Sequence, residues 1–157
     1  MWAVRFMGRT QTYVFQTTTK GEFAYRDLLC RLDTRGLVDE CFVPARELRK
    51  KFGGVWRTET QPLFPGYVFV RSGAIQPFVD CCRAATHHPR VLGYESGYSE
   101  LTEREAALLD AIAGKGGDWV ARLSEGVIEG GEVRILQGPL MGHQGLIKKI
   151  DRHKRLA

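Results

Sequence analysis

The sequence has few cysteines, and none of them has the spacing of a metal or redox site. The chain of 157 residues contains four, Cys30, Cys41, Cys81 and Cys82, with no C-x-x-C pair. Zinc ribbons and dithiol redox sites need that spacing, so neither is indicated, and we expect reduced, mostly buried thiols.

The sequence also lacks a catalytic motif. No Ser-His-Asp or Cys-His pairing has a supporting motif, and no Gly-rich phosphate loop follows a predicted strand. Cys81-Cys82 and His87-His88 are adjacent pairs whose side chains point in different directions, so the four do not converge on a metal. We therefore expect a protein that is not an enzyme and binds neither a metal nor another cofactor.

Long apolar runs are missing as well. The opening residues 1–5 are interrupted by a charge at Arg5, and no run long enough to span a bilayer follows. Without an export signal the default compartment is the cytoplasm, with no membrane partner. The length fits one ordinary domain, or one domain plus a fragment, and we expect a monomer.

Positive charge is concentrated in two short stretches. The net charge is +5, and residues 46–57 and residues 148–155 each hold five basic residues against one acidic residue. The rest of the chain is therefore slightly acidic. This uneven distribution favours a polyanionic partner, although two solvated loops would show the same pattern.

Residues 61–70 contain the strongest local pattern. Residues 67–70 are β-branched and aromatic, which predicts a strand buried on both faces. Pro62 and Pro65 bias the residues before them towards an extended backbone, and Pro65-Gly66 is a turn signal. Phe64 between the two prolines is either one more core aromatic or a rigidly presented docking residue.

The rest of the pattern predicts an α+β fold with about three helices packed on an antiparallel sheet. The first helix follows a capping-box spacing of Thr19 and Glu22, the second has Pro77 in its first turn, and the third runs from a second capping box, Thr102 and Glu105, to Gly114. The predicted strands are residues 13–17, 41–43, 67–70 and 91–94, with a hairpin tip at Gly53-Gly54.

The last third of the chain predicts a linker and a partial second module. Residues 114–130 are rich in glycine and are interpreted as a linker. Residues 133–136 and 146–150 are two predicted strands joined by a Gly-Pro turn, and a ribbon of two strands is marginal alone in water. At the other end, residues 1–11 are either an edge strand or an upstream extension.

Four motifs in sequence resemble the NusG family of transcription elongation factors. Residues 63–70, Leu-Phe-Pro-Gly-Tyr-Val-Phe-Val, are similar to the signature strand of the family's N-terminal domain. Residues 13–17 and 41–44 are similar to its first two strands, and residues 131–145 to the opening of its KOW module, an SH3-like β-barrel. The resemblance implies an N-terminal domain over residues 12–113 and a truncated KOW module, with an incomplete barrel, over residues 131–157.

The resemblance also implies the partners. In the family, the residue before Pro-Gly-Tyr lines an apolar pocket that seats the clamp helices of RNA polymerase, and docking there disfavours pausing and termination. The residues that this assigns to the clamp are Phe64, Pro65, Gly66, Tyr67, Thr17 and Thr18. The closing residues 150–155 are most similar to LoaP-type paralogues, which act as operon-dedicated antiterminators.

Contacts to nucleic acid follow from the basic stretches and from the resemblance. The family's loop before the last strand lies near the non-template DNA strand, and basic runs also suit a nascent RNA hairpin. The candidate residues are Arg49, Lys50, Lys51, Arg83, His87, His88, Arg90, Lys148, Lys149 and Arg152. For residues 87–90 a plain polar loop is an equal alternative. A KOW-bearing ribosomal RNA-binding protein is the alternative function, but it does not account for residues 12–113.

Overall fold

The computed structural model describes residues 8–85, 90–91 and 99–148, with the backbone alone for Arg90 and Val91. The helices are α1 (Glu22–Leu32), α2 (Ile75–Ala84) and α3 (Glu103–Leu109), which continues as a π-turn over Asp110–Gly114. The strands are β1 (Gln11–Gln16), β2 (Glu40–Phe42), β3 (Ala45–Phe52), β4 (Val55–Pro62), β5 (Tyr67–Ser72), β6 (Arg90–Val91), β7 (Val120–Ala121), β8 (Glu125–Glu129) and β9 (Glu132–Gln137). A short 3₁₀ helix covers Gln144–Leu146.

The main sheet is built around β5, as the apolar run predicts. Its strand order is β2-β5-β1-β6, and every neighbouring pair is antiparallel. Val68 pairs with Phe15 on one side, and Val70 pairs with Cys41 on the other. The predicted central strand is therefore confirmed. The loop over residues 63–66, which precedes it, lies at the end of the sheet where β5 begins.

Both faces of this sheet are covered, which explains why β5 has no polar alternation. Val68 and Val70 face α1 and α2 and pack in a core with Phe15 and Phe78. Phe69 faces the other way and packs with α3 and Trp119. A side chain of this size contributes about 1.5–3 kcal/mol when it is fully buried. The sheet is thus a central layer between two apolar cores.

Two of the predicted helices have the predicted details, and one does not. Pro77 lies in the first turn of α2, and the side chain of Thr102 caps α3 with Glu105 in a capping box. The capping box predicted at Thr19 is wrong, because the N-cap of α1 is Gly21 and no side chain caps it. The Glu22 side chain is buried rather than exposed at the start of its helix.

The glycine-rich segment predicted as a linker contains regular structure. β7 pairs in parallel with β3, and the Trp119 ring stacks on Phe42 at 3.7 Å between ring centroids. The Arg71 guanidinium carbon lies 4.7 Å from the Trp119 centroid, and the indole Nε1 donates to Glu40 Oε1 at 2.5 Å. The residues after α3 are therefore fixed against the sheet by one aromatic side chain.

The predicted strand over residues 133–136 is confirmed, but its partner is not the one predicted. β9 pairs with β8 through a two-residue turn at Gly130-Gly131, whose φ angles are 59° and 86°. Leu146 ends a 3₁₀ helix rather than opening a strand, and residues 149–150 lie outside the described part of the chain. In the part of the module that the structure describes, the barrel is not closed.

Candidate functional site

The loop between β4 and β5 presents Phe64 to solvent. Phe64 is 43% exposed, and its ring contacts Phe69 with 5.5 Å between centroids. The Leu63 N–H donates to the Pro44 carbonyl at 2.7 Å, which fixes the start of the loop on the chain after β2. The interpretation of Phe64 as one more core aromatic is therefore wrong: one edge of the ring is supported, and much of the ring is accessible.

Gly66 is held at both of its backbone polar atoms. Its N–H donates to the buried Glu22 carboxylate at 2.7 Å, and its carbonyl accepts from the Thr17 N–H at 2.8 Å. Its φ is 85°, and a Cβ added there would lie 3.3 Å from the Thr17 carbonyl oxygen. Glycine is favoured because a side chain would strain the left-handed conformation and press on the Thr17 carbonyl oxygen.

The Glu22 carboxylate is ionised despite its burial. Burial raises its pKa, but hydrogen bonds from the backbone N–H groups of Gly66, Glu22 and Lys20 outweigh that effect and leave the pKa below its usual value. A carboxylate that accepts several backbone hydrogen bonds is stabilised in its charged form. Glu22 thus links the start of α1 to the Phe64 loop by a charge-assisted bond.

The residues assigned to the clamp lie around this loop. Thr17 follows β1 directly, and its N–H donates to the Gly66 carbonyl. Thr18 and Pro65 are exposed, and Tyr67 is half-buried at the start of β5. The structure therefore brings the six residues together at one end of the sheet.

Sequence analysis missed Glu22 as a residue of this site. A signal was present, because Glu22 is in helical register with the apolar stripe that includes Tyr25 and Leu29, at i+3 and i+7. A carboxylate on the buried face of a helix must find hydrogen-bond donors elsewhere in the fold. The spacing of Thr19 and Glu22 indicated a hydrogen bond at the start of the helix, so the distant partner of Glu22, the Gly66 N–H, was not predicted.

The basic hairpin is divided between two faces. β3 and β4 pair over their full length around a Gly53-Gly54 turn, which confirms the predicted hairpin tip. Alternate residues of a strand lie on opposite faces, so Arg49 and Lys51 share one face and Lys50 lies on the other. The Lys50 Nζ is 2.8 Å from Glu59 Oε2. The three residues predicted as one nucleic-acid patch are therefore not one patch.

The other nucleic-acid candidates that the structure describes are Arg83, Arg90 and Lys148. Arg83 is exposed in the last turn of α2 with its guanidinium 3.8 Å from Asp80 Oδ1, and Lys148 is exposed near the end of the described residues. The backbone of Arg90 pairs with Gln16, close to Thr17. His87, His88, Lys149 and Arg152 lie outside the described residues.

The described residues contain neither a cluster of metal ligands nor a helix that could cross a membrane. Among those residues, no group of three or more His, Cys, Asp or Glu could hold a metal ion. None of the helices in the same ranges is both long enough and apolar enough to cross a membrane.

Comparison with known proteins identifies the family. Residues 11–109 match the family model described as transcription termination factor NusG, and residues 129–156 match the KOW motif. No curated protein matches the chain significantly. NusG proteins are non-enzymatic transcription factors, and membership implies an interaction with RNA polymerase. Because the first match covers more than half of the sequence, the chain belongs to the NusG family of transcription elongation and termination factors.

Proposed function

We propose that this protein docks on the clamp helices of RNA polymerase through the Phe64 loop and suppresses pausing or termination. The observation that carries the proposal is the fixed exposure of Phe64, which is 43% accessible on a loop whose Gly66 is bonded at both N–H and carbonyl. An aromatic held in its bound position loses little conformational freedom on docking. Exposed, preorganised aromatics are typical anchors of protein interfaces.

The expected partner surface is helical. A helix pair that inserts an apolar edge needs an aromatic-lined depression rather than a flat polar surface. Phe64 and Tyr67 flank Pro65-Gly66, and Thr17, whose N–H donates to the Gly66 carbonyl, lies beside them with the exposed Thr18 next to it. Bridging the polymerase cleft from this site would hold the clamp closed over nucleic acid.

We propose that the protein also contacts nucleic acid, as an operon-dedicated antiterminator of the LoaP type. The basic hairpin and the net charge of +5 support contact with the non-template DNA strand or a nascent RNA hairpin. A division into an N-terminal domain over 12–113 and a KOW module over 131–157, joined by 114–130, is part of the same proposal. A KOW-bearing ribosomal RNA-binding protein accounts for the match at 129–156 but not for that at 11–109.

The test compares two exposed phenylalanines. Phe64→Asp places a charge in the apolar contact, so its affinity for a clamp-helix fragment should fall by several kcal/mol, roughly 100-fold or more. Phe52→Asp is the matched control, because Phe52 is 46% exposed at the hairpin tip and outside the loop. Circular dichroism checks that both variants are folded. Equal clamp affinity for Phe64→Asp and the wild type would overturn the proposal.

A further inference from the structure

One face of the β3–β4 hairpin combines an exposed indole with two cations. Trp56 lies directly opposite Lys51 in the antiparallel register, and Arg49, two residues before Lys51, lies opposite Thr58. Paired residues lie on the same face, with their Cβ atoms about 4.5–5.5 Å apart. Trp56 is 57% exposed. Arg49, Lys51, Trp56 and Thr58 therefore form one surface, called here the Trp56 face.

The charges of the Trp56 face are uncompensated. In the described ranges, neither Arg49 nor Lys51 has a carboxylate within salt-bridge distance. The acidic residue on the same side of β3 is Glu47, and its carboxylate accepts from Arg122 at 2.9 Å and from the Leu123 N–H at 3.1 Å. Lys50, on the opposite face, is paired with Glu59. That face also holds Arg46 and Arg57, for which the described residues offer no salt-bridge partner. What distinguishes the Trp56 face is that its free cations adjoin an exposed indole.

We infer that the Trp56 face binds an unpaired strand of nucleic acid, with a base stacked on the indole and phosphates on Arg49 and Lys51. This inference rests on the proposed contact with nucleic acid and names its site. Single-strand sites combine a basic track with aromatic rings on which bases stack. An acidic peptide would meet the charges but leave the indole in water, and the bases of an intact duplex are already stacked on one another.

The first experiment separates stacking from simple exposure. Binding of labelled oligo-dT and oligo-U of about 15 nucleotides is measured by fluorescence anisotropy with the full chain. Trp56→Ala should bind about 5- to 150-fold more weakly, the range found when a stacking residue is removed. Phe52→Ala is the control, because Phe52 is exposed at the same tip on the opposite face. Equal losses in the two variants would overturn the inference.

The second experiment uses Trp56 as its own reporter. Measured in a Trp2→Phe background, stacking of a base on the Trp56 ring should quench the Trp56 emission, whereas the buried Trp119 should be unaffected. Trp56→Phe should keep most of the affinity, because a smaller ring still stacks, but it should lose the quenching. Quenching that persists in Trp56→Phe would place the bound strand elsewhere.

The third experiment measures the salt dependence of two matched double variants. Arg49→Gln with Lys51→Gln should reduce the slope of log K against log salt by about 1 to 1.5, since each phosphate contact to a single strand contributes about 0.7. Lys50→Gln with Arg57→Gln removes the same charge from the other face and should reduce the slope much less. Identical slopes for the two variants would show that net charge, not the Trp56 face, governs binding.

The controls keep this inference separate from the docking proposal. Phe64→Asp should bind oligonucleotides as the wild type does, and Trp56→Ala should bind the clamp fragment as the wild type does. Because the proposed contacts are to a base and to phosphates and not to the sugar, oligo-dT and oligo-U should bind within about fivefold of each other. A larger preference, or tighter binding to a duplex than to either single strand, would overturn the inference.

Discussion

Phe64 and Trp56 are similarly exposed, at 43% and 57%, but the chain supports them differently. The Phe64 loop leans on Phe69 and is bonded through Gly66 to Glu22 and Thr17. Trp56 stands next to a two-residue turn, and residues 51–58 of the hairpin are all exposed. One aromatic is fixed to the core of the domain, and the other is carried on a projecting ribbon.

This difference indicates two kinds of partner. A fixed aromatic suits a partner with a rigid surface, because little conformational entropy is lost when they dock. An aromatic on a projecting ribbon suits a chain that adapts its own path, as an unpaired strand does. The exposed fractions of Phe64 and Trp56 do not distinguish the two sites. The hydrogen bonds that support each aromatic residue do distinguish them.

The largest expected effect on stability follows from removing the support of the Phe64 loop. Glu22→Ala leaves the Gly66 N–H without its acceptor and opens a cavity, so the free energy of unfolding should fall by about 2–4 kcal/mol. Glu59→Ala removes an exposed ion pair of the hairpin and should cost less than about 1 kcal/mol. Urea denaturation of both variants measures the contrast. Equal losses would mean that the loop is no better anchored than the hairpin.

Two glycines with the same backbone conformation give a finer comparison. Gly66 and Gly54 have φ angles of 85° and 86°, but an added Cβ meets the Thr17 carbonyl oxygen at 3.3 Å only at Gly66. Gly54→Ala should cost about 1–2 kcal/mol from backbone strain alone. Gly66→Ala should cost roughly 1 kcal/mol more, because its neighbour is backbone and must shift. Thermal denaturation of the two variants measures this difference in stability. Identical losses would show that the contact with Thr17 does not contribute to it.

The pH dependence of stability should report the Glu22 carboxylate. Its pKa is below the ordinary value of 4.5 in the folded state, so its contribution is complete above that value and is lost as pH falls through the folded pKa. Glu22→Gln should therefore be less sensitive to acid than the wild type. Glu105, whose pKa is lowered by its hydrogen bonds to Thr102, should leave a remaining acid dependence.

The smallest effect is expected at the hairpin tip. Trp56→Ala and Phe52→Ala remove exposed side chains with no partner in either core, so each should change the free energy of unfolding by less than about 0.5 kcal/mol. Urea denaturation measures both. A loss of several kcal/mol in Trp56→Ala would show that the indole is a packing residue, which would remove the basis for stacking on nucleic acid.

The parts of the fold that the sequence predicts are those with local patterns. β5 was predicted from an unbroken apolar run, α3 from its capping box, and the hairpin from Gly53-Gly54, and all three are confirmed. Each of these signals lies within a few residues of the element that it defines, so it can be recognised without knowledge of distant contacts.

The contacts that position the site could not be predicted in this way. The Glu22 bond to Gly66 joins residues 44 apart, and the Trp119 bond to Glu40 joins residues 79 apart. Gly130 was interpreted as the end of a linker and Gly131 as the start of the KOW module, although the two form a two-residue turn like that at Gly53-Gly54. The two faces of the hairpin were in principle predictable, because the alternation of a strand already separates Lys50 from Arg49 and Lys51.

Cross-saturation NMR on the complex with a clamp-helix fragment tests the central claim most directly. The labelled full chain is observed while the unlabelled fragment is irradiated, and signal loss marks the amides at the interface. We expect the largest losses at Thr18, Phe64 and Tyr67, with no loss across residues 52–56. Losses centred on residues 52–56, or an undisturbed Phe64, would contradict it.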